Sequence, residues 1–371
     1  MSALLPTSEQ IEYRIERLNP LSCPKGETFA CELTGLPATV QLVTPYLTLF
    51  YATREHAEQA WEGIISKIAP ILGPLRRDPP IIGSEEERAR RANTLLMSKR
   101  ALIDLTKNEA SKYLVRGQFE LAIPGALQAL RFSHELFGER SIELVPSYLL
   151  LAEANLGLRR NKQAEEFLSL ANWSVLKHPD CSNAIRSQLH RNFGKLYASQ
   201  GRYQEALQQL SSDVYFSSLE IGPEHVDTAG GFYHMANIFY AQNRIENALA
   251  LFDKVVDIWY KFLAGVRNAK KDTGTVLGEA QLAEALDHLS KILTMRRKVL
   301  GERHIASGEA LYTQGLLRLF MGEKGAARDD IELALQVYRE HLGDEHPSTR
   351  DVSDVLKQLE EVGPEEGSGA A

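Results

Sequence analysis

The sequence predicts an all-α superhelical solenoid of about six helical hairpins, preceded by a small unit of two or three short strands and a helix. Three observations predict it. Small residues recur with a period of 42, each copy carries two helix-spaced apolar faces joined by a Gly or Asn turn, and the first 80 residues lack this period. Within 371 residues such an array has ample length to bury a core, and a 44% hydrophobic, 25% charged composition excludes a disordered chain.

Taken in chain order, residues 28–34, 40–43 and 46–51 read as short strands around Pro37 and Pro45, and residues 55–72 as a helix. Leu42, Leu47, Phe50, Trp61, Ile64 and Ile68 are the candidate core of this unit, which spans residues 1–80. Pro74, Pro79, Pro80 and Gly83 bracket its end. Ser84-Glu-Glu-Glu87 is a capping box that opens a lead-in helix over 84–103, with Glu86/Arg90 and Glu87/Arg91 at i,i+4 on a solvated face.

The hairpin array is expected over 104–347. Its turns are Gly117-Gln-Phe-Glu-Leu-Ala122, Arg159-Arg-Asn-Lys-Gln-Ala164, Gly201-Arg-Tyr-Gln-Glu-Ala206, Asn243-Arg-Ile-Glu-Asn-Ala248 and Gly322-Glu-Lys-Gly-Ala-Ala327. The alanines at 122, 164, 206 and 248 are 42 apart; Ala285 follows after 37 and Ala327 after 42 more. Apolar residues four and seven positions on, such as Leu168 and Ala171 or Ile331 and Ala334, mark the inner face of each second helix. Twelve residues before the alanine stands another small residue, at Ala110, Ala152, Gly194, Ala236 and Gly315, so the two helices of a hairpin approach closely. The fifth copy is imperfect: charge, Thr and Gly over 267–275 predict a short or irregular first helix. The links also recur, as Gly138-Glu-Arg-Ser141, Gly222-Pro-Glu-His225, Gly301-Glu-Arg-His304 and Gly343-Asp-Glu-His346, and their histidines are read as capping residues rather than metal ligands. Residues 348–362 read as a closing amphipathic cap and 363–371 as a disordered acidic tail.

A period near 42 also suits HEAT and armadillo units. The small–aromatic–turn–alanine signature of Phe193-Gly-Lys-Leu-Tyr197…Gly201-Arg-Tyr-Gln-Glu-Ala206 instead resembles the tetratricopeptide (TPR) repeat in its long, kinesin-light-chain form. Beyond the repeat, Pro24-Lys-Gly26, Cys31-Glu32, Trp61, Ile142-Glu-Leu-Val-Pro146, Tyr148-Leu-Leu-Leu-Ala-Glu153, Cys181-Ser-Asn-Ala184 and His234-Met-Ala-Asn-Ile-Phe-Tyr240 together resemble the zinc finger MYND domain-containing protein 12 family. The resemblance implies an N-terminal MYND-like ββα unit ahead of TPR repeats. It further implies a ciliary or flagellar axoneme location and partnership with an inner-arm dynein heavy chain, its light chains and another axonemal TPR protein, with the doublet microtubule met indirectly. Of the family's zinc-ligand positions this sequence keeps Cys31 and His56, whereas Thr34, Leu42, Pro45, Tyr51 and Ala69 stand where thiolates belong. Two ligands cannot close a tetrahedral site, so the unit is expected to be a metal-free remnant.

No phosphate-binding Gly-rich loop, His-Glu-x2-His or Gly-x-Ser-x-Gly motif is present, and no catalytic residue or cofactor is predicted. The net charge of −7 supplies no counterion-release term for nucleic acid. No run of about 18 apolar residues suggests a membrane span, and the start of the chain lacks the pattern of a signal peptide. Three cysteines are too few for a disulfide framework, so an intracellular setting is expected. Arg191, Asn192 and Lys195 of the third repeat, with Tyr233, His234, Asn237 and Tyr240 of the fourth, lie on first helices away from the hairpin contact and are the partner-binding candidates. His234 has no Cys, Asp or Glu three or four positions on, so a solvated or partner-facing role is expected for it.

Overall fold

The computed structural model describes residues 11–19, 28–76, 84–268 and 277–361. The fold is all-α: TPR-like helical hairpins with a small N-terminal strand unit. It divides into two compact units, Met1–Ile185 and Arg186–Ala371.

In the first unit, β1 (Arg14–Arg17), β2 (Val40–Val43) and β3 (Thr48–Tyr51) form an antiparallel sheet in the order β1-β2-β3, with Arg14 opposite Val43 and Val40 opposite Tyr51. Alternation along β2 and β3 turns Leu42, Leu49 and Tyr51 inward. They meet Ala57 and Ala60 of α1 (Arg54–Ala60), Ile64 and Ile65 of a π-helical turn (Trp61–Ile65), and Ile68 and Leu72 of α2 (Ser66–Leu75). Leu42, Tyr51 and Ala69, three of the positions expected to have lost a thiolate, are buried in this core. Cys31 and His56 nevertheless stay together, with Sγ and Nδ1 3.9 Å apart.

Residues 28–34 differ from expectation. No strand forms there; the chain turns back through Gly35 at φ +70°, Ala30 bridges Pro37, and the Ala38 N–H donates to the Phe29 carbonyl. The third strand is β1, whose Arg-Ile-Glu-Arg sequence buries no residue fully and so carries no hydrophobic signal. Glu32, in the turn, accepts from Arg76 at the end of α2 and from Arg131, which fixes the turn against the helices.

Nor does a core boundary fall near residue 80. The core of the sheet continues into Leu102, Ile103 and Phe132, on α3 (Glu85–Val115) and α4 (Phe119–Phe137). The expected lead-in helix and the first helix of the array are one uninterrupted 31-residue α3, opened by the Ser84/Glu87 capping box. A second hairpin, α5 (Val145–Gly157) and α6 (Asn161–Lys177), follows a 3-10 turn at Ile142–Leu144.

The second unit contains the hairpins α7 (Asn183–Ser199, which starts at the unit boundary) with α8 (Tyr203–Ile221), α9 (Val226–Ala241) with α10 (Ile245–Asn268), and α12 (Ile305–Phe320) with α13 (Lys324–Leu342). Between the last two lies α11 (Glu279–Leu300), and α14 (Pro347–Glu361) closes the described chain where a cap was expected. The tail at 363–371 lies outside the described residues, as does most of 267–275. Within that stretch α10 runs on to Asn268, so the second helix of the fourth hairpin occupies the start of the expected fifth first helix. Its end is anchored: Arg267 donates to Tyr312 Oη (3.0 Å) and Asp351 Oδ1 (2.6 Å), and Tyr312 donates to Asp351 Oδ2 (2.7 Å).

The repeat signature has a direct physical meaning here. All six alanines, at 122, 164, 206, 248, 285 and 327, are at most 2% exposed. The turn residues before five of them adopt the left-handed conformation, including Arg159 and Asn243, both at φ 59°. Each link glycine ends a helix, and His225, His304 and His346 accept from the N–H two residues on, at 3.2–3.3 Å; Ser141 does the same in the first link. At Gly194 an added Cβ would sit 2.6 Å from Leu210 Cγ, with Leu210 itself buried. Gly194→Ala is therefore expected to lower stability by about 1 kcal/mol net, overpacking outweighing the gain in helix propensity. Thermal melting of the variant checks this, and an unchanged or raised midpoint would contradict the close approach.

Candidate functional site

The partner-binding candidates all fall in the second unit, on α7 and α9, and α8 and α11 pack beside them. Gly230 and Gly231 open the approach of α9. A Cβ on Gly230 would lie 2.9 Å from Arg191 Nη1, and one on Gly231 would lie 2.9 Å from Asp213 Oδ2 and 2.7 Å from Val214 Cγ2. The paired glycines thus let α9 close over an ion pair between α7 and α8. Arg191 Nε donates to Asp213 Oδ2 at 2.8 Å and Nη2 to Oδ1 at 3.3 Å, while Ser187 Oγ donates to Oδ1 at 2.5 Å. Arg191 Nη2 also donates to the Asp227 carbonyl on α9 at 2.9 Å. The Asp213 side chain is wholly buried.

One turn further along α9, Tyr233 stacks on His288 of α11, with ring centroids 3.7 Å apart and planes at 21°. His234 meets the same ring edge-on, at 5.7 Å and 84°. Glu284 lies one helical turn before His288, with its Oε1 3.8 Å from His288 Nε2. His234, Glu284 and His288 each bring a ligand-type atom within 4.8 Å of the other two, the one such group of three among the described residues. The Nε2 of His234 is buried and has no hydrogen-bond partner.

The electrostatics follow from this enclosure. Burial holds the His288 imidazole down to about 3, and Lys195, Arg191 and Lys291 oppose its protonation in the same sense while Asp287 favours it. His234 is held well below the ordinary histidine range by burial first, then by Lys195, His288, Arg191 and Lys291. Both rings are therefore neutral near pH 7. Lys291 is itself paired with Asp287 at 2.6 Å. Burial raises the Tyr233 phenol, partly offset by a hydrogen bond with Asn237.

These placements change the expected surface. Asn192 is buried and spends its amide on the Gln188 carbonyl (3.0 Å) of its own helix, and Tyr233 is buried against His288, so neither lies on an open face. Arg191 is committed to Asp213, and His234 turns toward α11 rather than toward solvent. Lys195 and Tyr240 are half-buried and Asn237 is exposed. Sequence reasoning missed Asp213, Glu284 and His288. The Glu284/His288 spacing of four on a helix is a legible signal, but its partner His234 lies on another helix, 50 residues earlier.

In the N-terminal unit, Cys31 is buried, which pushes its thiol up; hydrogen bonds from the Thr34 side chain and from Ala52, Leu33 and Thr34 backbone groups outweigh that and leave it below its ordinary value. Among the described residues Cys31 and His56 belong to no group of three potential metal ligands.

Among the described residues no helix is long and apolar enough to cross a membrane. The tetratricopeptide repeat family model matches residues 320–348, which run from the last residue of α12 through α13 to the first two residues of α14. Among solved structures, the chain is similar to TPR-like repeats assigned to a kinesin light chain of Podosopora anserina, at 16% identity and TM-score 0.34 over 66% of this chain and 96% of that one. It is also similar to BtubC of P. vanneervenii (14% identity, TM-score 0.31, 72% and 96% covered) and to PilF of Pseudomonas aeruginosa (15%, 0.29, 72% and 95%). The family match, on a chain of helical hairpins, identifies TPR-like repeats, a fold that generally serves protein interaction rather than catalysis.

Proposed function

We propose that this TPR scaffold is a structural adaptor of the ciliary or flagellar axoneme that accompanies a single-headed inner-arm dynein and helps anchor it on the doublet microtubule. The observation that carries the reading is the resemblance of strings outside the repeat signature, Val145-Pro-Ser-Tyr-Leu-Leu-Leu-Ala-Glu153 and Asp180-Cys-Ser-Asn-Ala184, to the MYND-and-TPR axonemal family. In chemical terms, a stack of hairpins offers a surface whose ordering cost is already met on folding, so little further entropy is lost when a partner docks. With a net charge of −7, attachment beside the acidic microtubule rests on specific protein contacts rather than on bulk charge. The test is fractionation of ciliated cells: the protein is expected to remain with detergent-extracted axonemes and to leave with the inner-arm dyneins. Recovery in the soluble fraction alone would sink the proposal.

A second reading, a cytoplasmic dynein-assembly factor or a cargo adaptor of kinesin-light-chain type, is favoured by the 42-residue repeat length. The same fractionation separates the two, because that role places most of the protein in the cell body.

A further inference from the structure

We propose that His234, Glu284 and His288 form a binding site for a divalent transition metal of the zinc class, which clips α9 to α11. The three donor atoms already lie within 4.8 Å of one another. A tetrahedral zinc with bonds of about 2.0–2.1 Å needs its donors about 3.4 Å apart, so small side-chain rotations close the set. His288 Nε2 and Glu284 Oε1, at 3.8 Å, are nearest to that spacing.

Two independent features point to a ligand. The first is the orphaned Nε2 of His234: a buried polar nitrogen without a partner costs on the order of 1–3 kcal/mol, and a metal would satisfy it. The second is the state and orientation of the rings. Burial keeps both imidazoles neutral, the form that ligates, and the stack on Tyr233 fixes the plane of His288. Two imidazole nitrogens and one carboxylate suit zinc and its neighbours, whereas calcium and magnesium take oxygen ligands.

Charge limits the affinity without forbidding it. Arg191 is neutralised by Asp213, and Lys291 by Asp287, while Glu284 supplies one negative charge to the site. Lys195 on α7 opposes a cation here just as it opposes protonation of both histidines. The clip also has a structural rationale. Among the described residues α11 has no first helix of its own, and α9, α10 and α12 are its neighbours; a metal at His234 would tie it to the preceding hairpin.

The full chain, stripped with EDTA and titrated with Co²⁺, tests this. One Co²⁺ per chain is expected, with the visible absorption of a four- or five-coordinate site and displacement by Zn²⁺. Glu284→Gln, His234→Gln and His288→Gln should each weaken binding at least tenfold. Lys195→Gln should strengthen it several-fold, the opposite of what an anion site would show. Glu284 is 40% exposed at its side chain, so E284Q keeps the fold, which melting in EDTA verifies, and with K195Q it carries the test if a histidine variant fails to fold. The proposal is overturned if the wild-type chain binds less than one equivalent, if E284Q binds as tightly as wild type, or if Cys31→Ser rather than E284Q abolishes binding.

Discussion

Asp213→Ala is expected to destabilise the α7–α9 segment by about 3–5 kcal/mol, the usual cost of breaking a buried ion pair from one side. The carboxylate is fully buried and accepts three hydrogen bonds, two from Arg191 and one from Ser187. Removing it leaves a largely buried guanidinium, packed under Gly230 of α9, without its carboxylate acceptor. Hydrogen exchange of the α7–α9 amides measures the effect locally, and a loss below about 1 kcal/mol would show that the pair is solvated in solution. Arg191→Met with Asp213→Leu should lose much less, because removing both charges removes the desolvation cost with them. The same pair bears on how partner binding is tested. Charge reversal at Arg191 would set two carboxylates side by side and disrupt the unit, so a lost interaction there says nothing about docking; Lys195, half-buried, and Asn237, exposed but hydrogen-bonded to Tyr233, are better placed for such a test.

The array was legible because its determinants are local. An alanine that must face a small residue across a hairpin, a left-handed turn five residues earlier and a capping side chain after each link glycine all repeat at fixed offsets, and the structure puts each to that use. Asn243 adopts the conformation the glycines take, as Asn readily does, and even Arg159 does so, since the hairpin geometry overrides the local preference at that position. What was not legible depends on contacts distant in sequence. Glu32, Arg76 and Arg131 hold residues 28–38 as a turn rather than a strand, and Leu102, Ile103 and Phe132 complete a core whose other half ends before residue 76. The candidate surface was misread for the same reason. Asn192 looks available on a helical wheel until its own backbone claims it, and His234 looks solitary until α11, which has no first helix among the described residues, brings His288 and Glu284 beside it.

That enclosure gives the second large expectation, a loss of stability on mild acidification of the metal-free chain. His288 is held down to about 3 in the folded protein, against an ordinary value near 6.5 when unfolded. A depressed histidine is neutral when folded, so the unfolded state binds more protons everywhere between those two values, and stability must fall as pH falls through that window. From pH 7 to pH 5 this amounts to about 2 kcal/mol for His288, and His234, held low by the same burial, adds to the loss in the same direction. The groups facing the pair do not reverse the sign. Lys195, Arg191 and Lys291 all disfavour a charged ring; Asp287, and Glu284 with its Oε1 3.8 Å from His288 Nε2, favour one, and burial outweighs them. Chemical denaturation in EDTA at pH 7, 6 and 5 reads the slope, and His288→Gln should flatten it. A stability independent of pH over that range would mean that both imidazoles titrate as though exposed to water, and the packed Tyr233–His288 stack would then not exist in solution. Excess Zn²⁺ separates this effect from the proposed clip. A bound metal resists protonation of its ligands, so the acid loss should begin at a lower pH when the ion is present than in EDTA.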